Sequence, residues 1–128
     1  MHIEHIAIWT NQLEILKDFY TCHLSAKAGE KYTNPVKKFS SYFLEFDSGC
    51  RLEIMQMEGI QDYPLPPNQH TGLVHFAMQV DSSEEVDQMT ETLRSNGVKI
   101  FSEPRKTGDG YYESVIQDTD GNLIEIAF

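Results

Sequence analysis

The chain has 128 residues, the size of one ordinary domain with room for a real apolar core. Its composition is 40% hydrophobic and 23% charged, as in a soluble globular protein, and its formal net charge is -10. Such a balance argues against a nucleic-acid or anionic-membrane surface, because phosphate binding needs clustered Lys and Arg. Two cysteines, Cys22 and Cys50, are too few for a disulfide framework and match no zinc spacing. No charged-then-apolar leader precedes the first strand and no apolar run reaches membrane-spanning length, so a cytoplasmic setting is expected.

Taken in order, residues 2–9 alternate as a strand with Ile3, His5, Ala7 and Trp9 on one face. Asn11 then opens a helix with Glu14 as its capping-box partner, and Leu13, Leu16, Phe19, Tyr20 and Leu24 form its apolar stripe. A short strand is expected over Ala28–Tyr32, a turn at Thr33-Asn34-Pro35, and a strand over Phe39–Phe46. Asp47-Ser48-Gly49 reads as a hairpin turn into a returning strand, Cys50–Met57. Residues 58–71 contain Gly59, Pro64, Pro66, Pro67 and Asn68 without sustained period, and are read as a proline-stiffened linker.

The second half repeats this order. Leu73–Val80 is a strand containing His75, and Ser82 caps a helix with Glu85, whose buried face is Val86, Met89 and Leu93. Gly97 sits where a left-handed C-terminal cap belongs. Val98–Phe101 is a strand, Glu103–Gly110 a loop, and Tyr111–Gln117 and Asn122–Ala127 a hairpin around Asp118-Thr119-Asp120-Gly121. The expected organisation is one domain over 1–128, with module one at 1–57, the linker at 58–71 and module two at 72–128.

The repeat can be counted. His5 and His75 are 70 residues apart, and Glu53 and Glu125 are 72 apart. Each Glu lies four residues after a turn glycine, Gly49 or Gly121, and one before an isoleucine. A single strand Glu usually faces solvent, and a single strand His is usually structural. A His on the first strand and a Glu on the last strand of both copies points instead to a shared job. Two imidazoles and two carboxylates form a mixed N/O donor set suited to Ni, Co, Zn, Mn or Fe rather than Ca or Mg. Converged on one ion, they would leave two octahedral positions for water or substrate.

Those residues, with His5-Ile6-Ala7, Asp18-Phe19-Tyr20, Leu52-Glu53-Ile54, Val74-His75-Phe76-Ala77 and Asp118-Thr119-Asp120-Gly121-Asn122-Leu123-Ile124-Glu125, resemble the vicinal oxygen chelate superfamily. Its members include glyoxalase I, extradiol dioxygenases, methylmalonyl-CoA epimerase and the fosfomycin- and bleomycin-resistance proteins. The resemblance covers essentially the whole chain. It implies an α+β fold of two tandem βαβββ modules forming a cupped mixed sheet. The order His, Glu, His, Glu is similar to glyoxalase I, whereas dioxygenases and fosfomycin-resistance enzymes use two His and one Glu.

The resemblance implies that His5, Glu53, His75 and Glu125 ligate a divalent metal. Glu125, with Glu53 as its counterpart, would act as base in proton transfer through a metal-stabilised enediolate. It also implies a small α-oxo or thiol-adduct substrate and a homodimer, which would cover exposed sheet edges. The chain departs from the glyoxalase pattern at Trp9, where an arginine usually holds the glutathione carboxylate, and at Met57, where an asparagine is usual. Arg51 shares strand parity with Glu53, and either holds a substrate anion, orients that glutamate, or turns outward at the strand end. Trp9, Met55, Met57 and Tyr111 are the other candidate substrate contacts. Thr107–Tyr112 reads either as a closing loop or as a plain turn. The alternative function is a non-enzymatic, small-molecule-binding protein of the bleomycin-resistance type.

Overall fold

The parallel pairing of a first strand with a last strand organises both halves of the chain. The computed structural model describes residues 1–62 and 71–128, and the chain divides into two compact units, Met1–Tyr63 and Pro64–Phe128. The prolines of the expected linker, Pro64, Pro66 and Pro67, lie outside the described residues.

In the first unit β1 (His5–Trp9) leads into α1 (Leu13–His23), followed by β2 (Lys27–Ala28), β3 (Tyr32–Asn34), β4 (Phe39–Glu45) and β5 (Arg51–Met57). The sheet runs β1-β5-β4-β2, with β3 also on β4, and β1 lies parallel to β5. Strand alternation sends Leu52 and Ile54 of β5 and Leu44 of β4 to the α1 side, where they are buried with Leu13, Leu16, Phe19 and Tyr20. Burying each such side chain contributes roughly 1.5–3 kcal/mol. The opposite face carries His5, Ala7 and Trp9 beside Arg51, Glu53 and Met55.

The second unit repeats the plan with β6 (His75–Gln79), α2 (Ser83–Ser95), β7 (Lys99–Lys106), β8 (Tyr112–Gln117) and β9 (Leu123–Ala127). Its sheet runs β6-β9-β8-β7, and β6 lies parallel to β9. The helix face of the sheet buries Ile116, Ile124 and Ile126 against Val86 and Leu93. A buried hydroxyl pair, Thr90 Oγ1 to Ser114 Oγ at 2.6 Å, ties α2 to β8, and Thr90 also donates to the Val86 carbonyl. The Ser82–Glu85 cap forms: Ser82 Oγ accepts from the Glu85 amide at 3.1 Å, while the Glu85 carboxylate accepts from the Asp81 amide at 2.9 Å. Gly97 adopts φ 82, the left-handed conformation expected there. Met89 is only half-buried, and Thr90 takes its expected place in the core.

Three local expectations are corrected. The Asn11–Glu14 capping box does not form, and the N-cap of α1 is Gln12, whose amide donates to Thr10 Oγ1 at 2.9 Å. Asn11 instead donates to Asp62 Oδ1, and Glu14 accepts from Lys31 at 2.8 Å and from Lys17 and Tyr42. Bonds to ammonium groups outcompete a neutral amide cap. The expected strand over Ala28–Tyr32 is split into β2 and β3, and the turn moves to residues 35–38. Asn34 ends β3 and also accepts from the Lys37 amide at 3.1 Å, which closes that turn. The stretch from Glu103 to Lys106 is not loop but the continuation of β7, through Pro104 and two register shifts. An edge strand with bulges tolerates proline, because no neighbour needs its missing N–H.

The β8–β9 turn is held by Asp118, which is 6% exposed. Its Oδ1 accepts from the Asp120 and Asn122 amides at 2.9 Å each, and its Oδ2 accepts from Asn122 Nδ2 at 2.8 Å. Asp118→Ala should lower unfolding free energy by about 2–4 kcal/mol, given charge-assisted bonds lost at a buried group. Asp118→Asn should lose less, since it keeps the Oδ1 acceptor. Urea denaturation of both variants measures this, and equal losses would contradict the Oδ1 role.

Candidate functional site

Each parallel pairing places a histidine and a glutamate on one face. In the first unit Arg51 lies opposite His5 and Glu53 lies opposite Ala7, so Glu53 is the diagonal neighbour of His5. Their side chains approach to 3.9 Å, His5 Nε2 to Glu53 Oε2. In the second unit Glu125 lies opposite Ala77, and His75 Nε2 is 3.3 Å from Glu125 Oε1. The two pairs therefore have the same construction.

Donors at 2.0–2.2 Å from one ion are separated by about 3.0–3.4 Å at octahedral or tetrahedral angles. The second pair, at 3.3 Å, meets this spacing, and the first, at 3.9 Å, stands outside it. Imidazole and carboxylate suit a borderline divalent ion, so each pair fits as part of a metal site. Within neither unit do the described residues gather three or more His, Cys, Asp or Glu side chains that could hold an ion unaided.

Around the first pair, Glu4 Oε2 accepts from His5 Nδ1 at 2.5 Å. Glu4 Oε1 accepts from Arg51 Nε at 2.7 Å and also from Arg51 Nη2. The hydrogen bonds from His5 and then from Arg51 hold the Glu4 carboxyl below its ordinary range. Arg51 lies 4.2 Å above the Phe43 ring, and Phe43 meets His5 edge-on at 5.4 Å. Arg51 thus turns to Glu4, not to the Glu53 carboxylate. Trp9 packs edge-on to Phe39, which also meets Tyr32, and Met55 and Met57 continue the face half-buried.

The second pair lines a cavity of about 520 Å³, together with Ala77, Gln79, Thr107, Asp109, Tyr111, Glu113 and the C-terminal Ala127 and Phe128. Burial pushes the Glu125 carboxyl up, His75 opposes the shift, and the neighbouring Glu113 adds to it. Glu113 is 8% exposed and accepts from Arg105 Nη2 at 3.3 Å. Thr107–Tyr111 is a bonded turn: the Thr107 amide donates to the Tyr111 carbonyl at 2.8 Å, and the Thr107 hydroxyl donates to Asp109 at 2.5 Å. Tyr111 stands at the cavity edge, 55% exposed.

Sequence reasoning missed Glu4, Phe43 and Glu113. The strand expected over residues 2–9 begins only at His5, so Glu4 precedes β1 and alternation says nothing of its direction. Phe43 and Glu113 could have been found by pairing β4 and β8 with their neighbours, which sets Phe43 opposite Glu53 and Glu113 opposite Ala127.

The family model described as Glyoxalase/Bleomycin resistance protein/Dioxygenase superfamily matches residues 2–126. The chain belongs to this superfamily. Its relatives include a Brassica oleracea var. gemmifera protein named "Putative lactoylglutathione lyase", 29% identical over 95% of this chain and 42% of that protein. The solved structures include maize (Zea mays) glyoxalase I, at TM-score 0.81 and 26% identity over 98% of this chain and 44% of that one. A glyoxalase family protein from Enterococcus faecalis matches at TM-score 0.81 and 25% identity, over 98% of this chain and 96% of that one. The chain spans less than half the length of the Brassica and maize proteins. These likenesses agree with the α+β architecture, in which each glyoxalase-like unit carries its own mixed sheet. No helix among the described residues is long and apolar enough to cross a membrane.

Trp9 is the chain's single tryptophan and is 44% exposed on the His5 face. With this face uncovered, its emission should be red-shifted and readily quenched by acrylamide. A blue-shifted, protected emission would mean that this face is covered in solution.

Proposed function

We propose that the protein is a divalent-metal-dependent lyase or isomerase of the glyoxalase I type, acting on a small α-oxo or thiol-adduct substrate. The observation that carries this reading is the duplicated His–Glu pair, built the same way on the first and last strands of both units. His5, Glu53, His75 and Glu125 would hold the ion, as half-sites of one chain or of two chains in a homodimer. A bound Ni, Co, Zn, Mn or Fe ion would supply Lewis-acid stabilisation of negative charge developing on a substrate oxygen.

The chain's own groups then account for the proton. The Glu125 carboxylate takes it from the carbon beside the substrate carbonyl and returns it to the neighbouring carbon, which completes the isomerisation. A carboxyl raised by burial is a better acceptor for this work than one in water. Glu53 is its counterpart in the first unit. The rim of the second cavity carries Asp109 and Glu113, and Trp9 replaces the usual glutathione-binding arginine. This supports a thiol carrier less anionic than glutathione, with Trp9, Met55, Met57 and Tyr111 as apolar contacts.

The exposed aromatic face of Trp9 and Tyr32 favours a second reading, a non-enzymatic small-molecule-binding protein of the bleomycin-resistance type. Metal analysis after dialysis against Ni²⁺ or Co²⁺ separates the two. The enzyme reading expects retained metal and turnover of an α-oxo aldehyde–thiol adduct. Glu125→Gln should lower kcat by about 10²–10⁴-fold, the usual worth of a general base. Undiminished activity in that variant at unchanged metal content would reject Glu125 as the base. Binding of a hydrophobic drug by protein that retains no metal would favour the second reading. Light scattering should show a homodimer, and a metal-loaded active monomer would reject a site shared between chains.

A further inference from the structure

The two histidines occupy equivalent positions but do not have equivalent surroundings. At the position before His75 the chain has Val74, and at the position matching Arg51 it has Leu123, opposite His75 in the β6–β9 ladder. Opposite Glu125 stands Val115, where the first unit sets Phe43 opposite Glu53. The carboxylate, the guanidinium and the aromatic ring around His5 all belong to the first unit's side of the repeat.

These three groups form a closed circuit around one imidazole. Glu4 accepts a hydrogen bond from His5 Nδ1–H through one carboxylate oxygen and is gripped by Arg51 through the other. Arg51 is laid flat on Phe43 at 4.2 Å, and the Phe43 ring edge-on to His5 limits rotation of the imidazole. Arg51 is further aligned with Glu4 through its backbone, its amide donating to the Glu4 carbonyl at 3.0 Å. The geometry points to Glu4 as a positioning residue for His5: it holds the neutral ring as the Nδ1–H tautomer, so that the Nε2 lone pair faces the Glu53 carboxylate and is ready for a metal ion. Arg51 holds Glu4 in place. A carboxylate accepting from the second ring nitrogen both fixes the tautomer and makes the imidazole a stronger donor. The first half-site is therefore pre-organised, and the second relies on the donor spacing of His75 and Glu125 without such a carboxylate at position 74.

This inference rests on His5 being a metal ligand, so its test reads the ring and the ion separately. Long-range proton–nitrogen spectra of the metal-free full chain, near pH 8 where a free imidazole is neutral, report each histidine's tautomer. Wild-type His5 should be in the Nδ1–H form. Glu4→Ala should shift it to Nε2–H and leave the His75 signals in place. Ni²⁺ affinity, measured against a competing chelator, should fall about 10- to 100-fold in Glu4→Ala. It should recover in part in Glu4→Gln, whose amide oxygen still accepts a hydrogen bond from Nδ1–H, and fall less in Arg51→Met. Glu4 is exposed, so the thermal midpoint of Glu4→Ala serves as the folding control. A wild-type His5 found as Nε2–H, or a Glu4→Ala protein with wild-type Ni²⁺ affinity, overturns the positioning role while leaving the metal-dependent reading intact. A wild-type chain that binds no Ni²⁺, Co²⁺ or Zn²⁺ overturns that reading and the positioning role with it.

Discussion

The parallel ladder between the outer strand and the last strand of each unit is the constraint on which the site depends. His5 and Glu53 are separated by most of a unit in sequence, and only the pairing of Ala7 with Glu53 brings the two side chains onto one face. A parallel pair cannot be closed by a tight turn. The helix and the intervening antiparallel strands are the crossover that lets β5 return beside β1, and β9 beside β6. A slip of one residue in either ladder would turn the glutamate toward the helix and into the core. The apolar partners Leu52 and Ile54, and Ile124 and Ile126, resist that slip because they would have to leave the core.

The same scaffold carries two differently equipped faces. In the first unit the face is aromatic, with Trp9, Phe39 and Tyr32 in ring contact and Phe43 against His5, and Arg51 there is engaged by Glu4. In the second unit the face opens into a cavity whose charged lining, Asp109, Glu113 and Glu125, is acidic. Burial and the neighbouring Glu113 both favour the protonated form of Glu125.

Local patterns carried well where one force dominated. The stripe of α1, the Ser82–Glu85 cap and the left-handed Gly97 follow from side-chain period, capping chemistry and the lack of a Cβ. They failed where two forces competed. Pro104 and the charges around it read as loop, yet β7 runs through them as a bulged edge strand because β8 supplies the pairing. Asn11 and Glu14 read as a cap, yet Asp62 and Lys31, distant in sequence, offered each a better partner. Cap residues are chosen by local chemistry only when nothing charged arrives from elsewhere.

The amino-acid sequence by itself determined the duplicated plan, the spacing of two histidines and two glutamates within it, and the likeness to the superfamily to which the chain belongs. Those features are periodic or repeated, and so can be counted along the chain. Only the tertiary structure decided that each histidine meets its own glutamate across a parallel ladder, that Arg51 turns to Glu4, and that Glu113 lies beside Glu125. Side-chain partnership depends on which neighbour reaches first in three dimensions, and that competition leaves no trace in sequence spacing.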